Sequence, residues 1–390
     1  MGVLVVGGGP AGLITARETA RAGIDVTVVE EHAEVGVPTH CAGLLSVDGL
    51  ERIGVRPLGF VVNAVRGARF FSPSGLSFKI EARRPKAYVV DRELFDKALA
   101  EQAAESGANI VLGKRVKDVI VHEDRADALL ADGHRVGSDA IVVAEGVRCA
   151  LTRALGLRAP KRRLQAAQME IAGVDADPSY VELHFGRRIA PGFFAWKVPL
   201  SDDTLRIGLA CSDGRALARL TRFVKRELGG RGKVIGRSAS LLIAGGPIGR
   251  TYGDRFLVVG DAAGQAKPTT GGGVIFGGVC ALHAANAIRR AASLGDWSAS
   301  VLKDYQRGWM KELGRELRLM LIARKVADRL SDRGIDRLFS VVIEGGLAEG
   351  IQEVGDIDFQ SPALLSLIRH RSAFGVILTI AQDLVTSSLT

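Results

Sequence analysis

Val3-Leu4-Val5-Val6-Gly7-Gly8-Gly9-Pro10-Ala11-Gly12 decides how this chain is read. Four apolar, mostly β-branched residues suit a strand buried on both faces. Gly7, Gly9 and Gly12 then fall in the spacing G-x-G-x-x-G. In a dinucleotide site the first glycine allows the tight turn, the second lets backbone approach a pyrophosphate, and the third permits close helix–sheet packing. Leu13 to Ala22 reads as a helix closed by Gly23, and Asp25-Val26-Thr27-Val28-Val29-Glu30 as a second strand. A helix starting near Pro10 offers free N–H groups and a positive dipole end to phosphates. Glu30 stands eighteen residues after Gly12, where a carboxylate can accept hydrogen bonds from ribose hydroxyls.

Working outward, Arg92 to Ser106 carries Leu94, Phe95, Ala98, Leu99 and Ala103 at helical spacing, with Gly107 behind it and a strand from Asn109 to Leu112. Short strands follow at Val116 to Val121, Ala128 to Leu130 and Ala140 to Val143. Residues 160–250 alternate in strands such as Tyr180 to Phe185, with one helix near 214–230. Parallel α/β character returns at Phe256-Leu257-Val258-Val259-Gly260-Asp261, and from about 299 the chain is helical.

Composition narrows the function classes. Of 390 residues, 47% are hydrophobic and 24% charged, as in a globular protein with a substantial core. The net charge of +9 comes from scattered residues, and aromatic residues are only 5%, so no nucleic-acid partner is expected. Cys41, Cys149, Cys211 and Cys280 lack C-x-x-C spacing. That predicts no metal site and no disulfide framework, and it fits a cytoplasmic location. No apolar run reaches the length of a bilayer; the best is Ala373 to Ala381, so membrane contact is expected to be peripheral.

The second half separates a flavin from a nicotinamide. Val258-Val259-Gly260-Asp261-Ala262-Ala263-Gly264 puts an aspartate just beyond a strand, ahead of Pro268-Thr269-Thr270-Gly271-Gly272-Gly273-Val274. Flavoproteins that this chain resembles use such an aspartate on the ribityl chain or pyrophosphate, and such a loop beside the flavin pyrimidine ring. FAD is therefore the expected cofactor. The expected fold is α/β: a Rossmann-type FAD-binding domain from 1–55, 86–158 and 251–298, an inserted, mostly antiparallel β-sheet substrate domain from 56–85 and 159–250, and a C-terminal helical region over 299–390.

Glu30-Glu31-His32-Ala33-Glu34-Val35-Gly36-Val37-Pro38-Thr39-His40-Cys41-Ala42-Gly43-Leu44 resembles the corresponding run of the geranylgeranyl reductases, including the digeranylgeranylglycerophospholipid reductases. Tyr88-Val89-Val90-Asp91-Arg92-x-x-Phe95-Asp96 and Phe194-Ala195-Trp196-Lys197-Val198-Pro199 are similar to two further blocks of that family, as is Leu302 to Leu317. Two departures stand out: Ala144-Glu145-Gly146 where the family has Asp or Thr, and Val198 where a larger aromatic is common.

The resemblance implies FAD contacts from Gly7, Gly9, Ala11, Gly12, Glu30, Cys41, Ala42, Arg92, Val116, Asp261, Gly272, Gly273 and Val274. It implies Cys41 as the chemical residue, supplying a proton or polarising an alkene while flavin delivers hydride. Phe194, Trp196 and Pro199 are the implied substrate wall, where aromatic faces can stabilise a carbocation-like transition state. The implied partners are an isoprenoid lipid and an electron donor, which is NAD(P)H, ferredoxin or another reductase. Rival readings are a flavin monooxygenase or halogenase, with Lys79 or Lys86 as reactive lysine, and a non-redox flavin-binding lipid carrier. His40, next to Cys41, reads as a solvated loop histidine. Trp309 to Leu330 shows two apolar stripes, Trp309/Leu313/Leu317/Met320 and Leu319/Ile322/Val326/Leu330. Both are expected to be buried; the alternative sets the second at a lipid tunnel or membrane, with Arg315, Arg318, Arg324, Lys325 and Arg329 near headgroups.

Overall fold

The computed structural model describes residues 2–369, so the apolar run Ala373 to Ala381 and the end of the expected helical region lie outside the described residues. A six-stranded sheet runs in the order Tyr252–Gly253, Phe256–Val258, Ala140–Val143, Val3–Val6, Val26–Val29, Asn109–Val111. All neighbours are parallel except the short Tyr252–Gly253 edge. Val3–Val6 is buried along its whole length, as its unbroken apolar run requires. It lies between Val26–Val29 and Ala140–Val143, so strand order reverses beside it and a crevice opens beyond its carboxyl end. Gly7 begins at that point.

The first helix spans Pro10–Arg21, beginning at Pro10 as the phosphate-binding reading expects and three residues before the apolar spacing starts at Leu13. Proline at the first helical position loses no bond, because its missing N–H would have no partner there. This helix packs on Val274–Leu294 and on Arg92–Glu105, which Asp91 caps by accepting from the Glu93 and Leu94 N–H groups. The packing is close because small residues line it. A Cβ on Gly278 would lie 2.7 Å from Ile53 and 3.1 Å from Ile14.

A seven-stranded sheet has the order Lys233–Ile243, Arg163–Ala172, Thr204–Cys211, Phe194–Pro199, Tyr180–Phe185, Gly67–Phe71, Ser77–Glu81. It is antiparallel except where Tyr180–Phe185 meets Gly67–Phe71. Strand alternation gives it two distinct faces. Ala195, Ile207, Leu209 and Met169 pack under the helix Ala216–Leu228 through Leu220 and Phe223. Phe194, Trp196, Gly208 and Gln168 belong to the other face. A separate three-stranded sheet joins Leu44–Ser46, Ala87–Val90 and Val61–Val65.

The helix Ala299–Arg329 buries its first stripe, Trp309, Leu313, Leu317 and Met320, in the main core. The second stripe does not act as a unit: Leu330 is buried, Leu319 and Val326 are half-buried, and Ile322 is 58% exposed. Arg324 goes against the alternative that set it near headgroups. It is buried, paired with Asp328 at 2.6 Å and stacked over Phe193, because an unpaired guanidinium could not be taken out of water there. Helices Asp332–Glu344, Leu347–Val354 and Ser361–Arg369 complete the described chain. None of the described helices is long and apolar enough to cross a membrane.

Candidate functional site

The first glycine-bearing turn lines the crevice, and the second lies against it through Ala11 and Gly260. Gly7 has φ +112°, and a Cβ on it would lie 2.3 Å from the Ala144 carbonyl oxygen; one on Gly12 would lie 2.0 Å from the Gly7 oxygen. Both are glycine for protein packing. Gly9 differs, since a Cβ there would meet nothing within 4 Å. Protein packing therefore does not require glycine there, and the backbone of Gly9 is open to the crevice it lines. The Ala11 methyl is the nearest atom to a Cβ on Gly260, at 2.9 Å, and lies 3.5 Å from one on Gly277. Small size at Ala11 thus lets the first turn lie against the second.

The crevice of about 380 Å³ is lined by Gly7, Gly9, Glu30, Arg92 and Val116, with Lys114, Arg115 and Leu151, which sequence reasoning had not singled out. Glu30 is buried and accepts from the Gly8 N–H at 2.6 Å and the His32 N–H at 2.9 Å, with the His32 ring at 2.5 Å. A carboxylate has about four lone-pair sites, so capacity remains for ribose hydroxyls. Glu145 explains one departure noted above. Its carboxylate accepts from the Ala150, Leu151 and Thr152 N–H groups and the Thr152 hydroxyl at 2.7–3.0 Å, capping the helix Ala150–Ala154.

Asp261 sits in the turn Gly260–Ala263, outside the residues that line the crevice. Gln265 holds that turn: its carbonyl accepts from the Gly260 N–H at 2.8 Å and its amide donates to Tyr305 at 2.7 Å, whose hydroxyl donates to Val258 at 2.9 Å. The Asp261 carboxylate accepts no hydrogen bond from another described residue, and burial pushes its pKa up to about 6 against the pull of Arg92. Gly273 precedes the helix Val274–Leu294, and a Cβ on it would come within 2.5 Å of Asp261 Oδ1. Only glycine lets the acid and that helix N-terminus share the space. A Cβ on Gly272 would lie 2.7 Å from Lys267, whose buried amine binds Asp358 at 2.6 Å; Asp358 also takes a hydrogen bond from Ser46.

Arg92 lines the crevice, and its charge acts on both Asp261 and the Cys41 sulfur. It forks onto Asp96 at 2.9–3.1 Å. Burial alone would lower its pKa, but Asp96 and the Cys41 sulfur outweigh burial and hold the guanidinium above its ordinary range. Cys41 is half-buried and takes the Gly43 N–H at 3.4 Å on Sγ. His40 beside it is exposed.

Phe194 and Trp196 share one face, with ring centroids 6.1 Å apart. Pro199 does not join them: alternation puts it on the opposite face, where its carbonyl accepts from Asn63 at 3.0 Å. The Trp196 indole lies over Gly208 on the next strand, and its buried Nε1–H has no partner among the described residues. Val198 packs with Val65, Ala87, Val89 and Val181. Lys79 is on an edge strand at the surface, 2.7 Å from Glu81, and Lys86 is exposed. Gly208, Gln265 and the Lys267–Asp358 pair were missed because each acts through a partner on a distant segment; the lone lysine before Pro268 was the one local signal.

Comparison with known proteins bears on these residues together. The family of the FAD binding domain matches residues 1–190. Digeranylgeranylglycerophospholipid reductase 2 of Methanothermobacter thermautotrophicus is 32% identical over 397 residues, covering 98% of this chain and 99% of that protein. Digeranylgeranylglycerophospholipid reductase 1 of Methanopyrus kandleri is 34% identical over 85% of this chain and 90% of its own length. Among solved structures, a geranylgeranyl bacteriochlorophyll reductase-like protein from Thermoplasma acidophilum superposes with TM-score 0.86, at 24% identity, over 99% of this chain and 98% of that one. FAD fits the donor set found here: open space before Gly9, spare acceptor capacity on Glu30, and an Asp261 carboxylate without a donor among the described residues.

Proposed function

The chain belongs to the digeranylgeranylglycerophospholipid reductase family, an FAD-dependent oxidoreductase by its domain and its relatives, and from that premise we propose that it saturates the double bonds of geranylgeranyl chains carried on a glycerophospholipid. One observation carries the reading beyond the relatives. The aromatic face of the seven-stranded sheet is joined to the Cys41 loop through the side chain of Gln168, which shares a cross-strand row with Trp196 and donates to the Cys41 carbonyl at 3.0 Å. An apolar wall and a thiol beside a charged arginine are what an isolated alkene needs.

On this reading segments 1–55, 86–158 and 251–298 carry the cofactor, and 56–85 with 159–250 carry the lipid. Gly7, Gly9 and Gly12 would hold the pyrophosphate, Glu30 the ribose, Asp261 the ribityl chain, and the Gly272–Val274 backbone the pyrimidine edge. Bound and reduced, FAD supplies the hydride. Cys41 holds a proton at Sγ for the second alkene carbon, and Arg92 stabilises the thiolate left behind until solvent returns a proton. Phe194 and Trp196 exclude water and offer π-faces to the positive charge that develops on carbon as the proton arrives. Both candidates for the one reactive lysine of the halogenase reading, Lys79 and Lys86, are at the surface, which counts against it. The lipid substrate brings the enzyme to a membrane surface, and its excess of basic residues suits peripheral contact.

The test is direct. Purified yellow protein is reduced with dithionite, which bypasses the electron donor, and offered a geranylgeranyl glycerophospholipid; mass spectrometry reads the gain of two hydrogens per saturated bond. Cys41→Ala and Cys41→Ser should keep the colour and suppress the gain. An unaltered lipid under reducing conditions, with oxygenated or halogenated product in air, would overturn the proposal.

A further inference from the structure

We infer that Gln168 and Arg206 are positioning residues that fix the Cys41 thiol against the substrate wall; this rests on the reading of Cys41 as proton donor. The three consecutive carbonyls of the loop are each held by a different element. Gln168 Nε2 donates to the Cys41 oxygen at 3.0 Å, Arg206 donates to the Ala42 oxygen at 2.9 Å, and the Val90 N–H donates to the Gly43 oxygen at 2.8 Å. Gln168 and Arg206 are both at least nine-tenths buried.

Gly43 shows how closely the loop is gripped. Its φ is +72°, and a Cβ on it would lie 2.5 Å from both the Arg206 guanidinium and the Val90 oxygen. With the carbonyls anchored, the Gly43 N–H is left aimed at Cys41 Sγ.

Arg206 acts through geometry rather than charge. Glu170, on the neighbouring strand, pairs with it at 2.8 Å and neutralises it locally, whereas Arg92 is the cation that feels the Cys41 sulfur. The register adds the link to substrate. Gln168 stands opposite Gly208, which stands opposite Trp196, so the anchor of the thiol loop and the aromatic wall belong to one row across three strands. A shift of that row moves thiol and wall relative to each other.

The experiment uses the holoenzyme and the variants Gln168→Leu, Arg206→Met and Arg206→Lys. FAD content and visible spectrum report folding. Iodoacetamide labelling of Cys41, read by peptide mass spectrometry, reports the thiol; Cys149, Cys211 and Cys280 are fully buried and provide the background. Gln168→Leu and Arg206→Met should change the labelling rate and its pH profile and lower kcat about tenfold to a hundredfold at nearly constant KM, as misplacing a reacting group by an ångström does. Arg206→Lys keeps one donor and should recover part of kcat. Should Arg206→Met fail to retain FAD, Gln168→Leu decides alone, since it removes a single neutral hydrogen bond.

Wild-type labelling in both loop variants, a lowered kcat without altered labelling, or a raised KM at intact kcat would each overturn the inference. Full turnover by Cys41→Ser is a separate result: it removes the reading of Cys41 while leaving the labelling comparison valid.

Discussion

Replacing Gly208 by alanine tests the substrate wall where its geometry is most exacting. An added Cβ would lie 2.5 Å from the indole Cε2 and Cζ2 of Trp196 and 2.6 Å from Nε1. Ordinary carbon contacts are about 3.5–4.0 Å, so the indole must retreat by about 1 Å. It has little room, because Phe194 meets it edge-on and Leu183 faces it from the next strand. Overpacking of this kind costs about 1–3 kcal/mol. The retreating ring displaces the π-face proposed to meet the alkene, so lipid turnover should fall by about tenfold for each 1.4 kcal/mol that reaches the transition state. FAD content should be unchanged, since the two glycine turns are on another sheet. Gly208→Ala and Trp196→Phe, alone and combined, form a double-mutant cycle read by thermal unfolding and lipid reduction; the smaller ring should relieve the alanine. Additive effects, or wild-type turnover in Gly208→Ala, would show that the indole is not held against Gly208 and that this face is not the wall. Lost FAD would show that wall and cofactor site are not separable.

Three further outcomes are expected. Asp261 is raised from 3.8 to about 6, so the folded, FAD-free chain binds this proton more tightly than the unfolded one, and stability declines as pH rises between those values. Asp261→Asn should therefore stabilise the FAD-free protein by up to about 3 kcal/mol above that window, give no gain below it, and weaken FAD retention; urea titrations on either side of the window check all three. Glu145→Ala removes four hydrogen bonds from the start of the helix Ala150–Ala154 and should cost about 2 kcal/mol in denaturant unfolding, with FAD still bound. Asp358→Asn leaves the buried Lys267 amine without its counter-charge and should destabilise by about 3–5 kcal/mol, whereas Lys267→Met with Asp358→Asn should recover most of that loss.

Parts of this molecule are legible locally. G-x-G-x-x-G needs only the backbone geometry of a six-residue turn, and the strand before it and helix after it show in apolar runs and spacing. The same holds for Gly260-Asp261 and for the alternation of the inserted sheet. The local signal overreached at the second stripe of the helix Ala299–Arg329, where apolar spacing implied burial but Ile322 is 58% exposed. It overreached again at Pro199, grouped with Phe194 and Trp196 by motif although an odd spacing along a strand reverses the face.

By itself the amino-acid sequence determined the cofactor class and the fold class, because each depends on residues within one turn, one strand or one helix. Tertiary structure alone decided that Ala11 lies against Gly260, that Gln168, Gly208 and Trp196 form one row, that Gln168 and Arg206 grip the Cys41 loop, and that Lys267 pairs with Asp358. Such pairings join segments far apart in the chain, and strand register together with the cost of burying an unpartnered charge selects them. Neither leaves a periodic trace along the sequence.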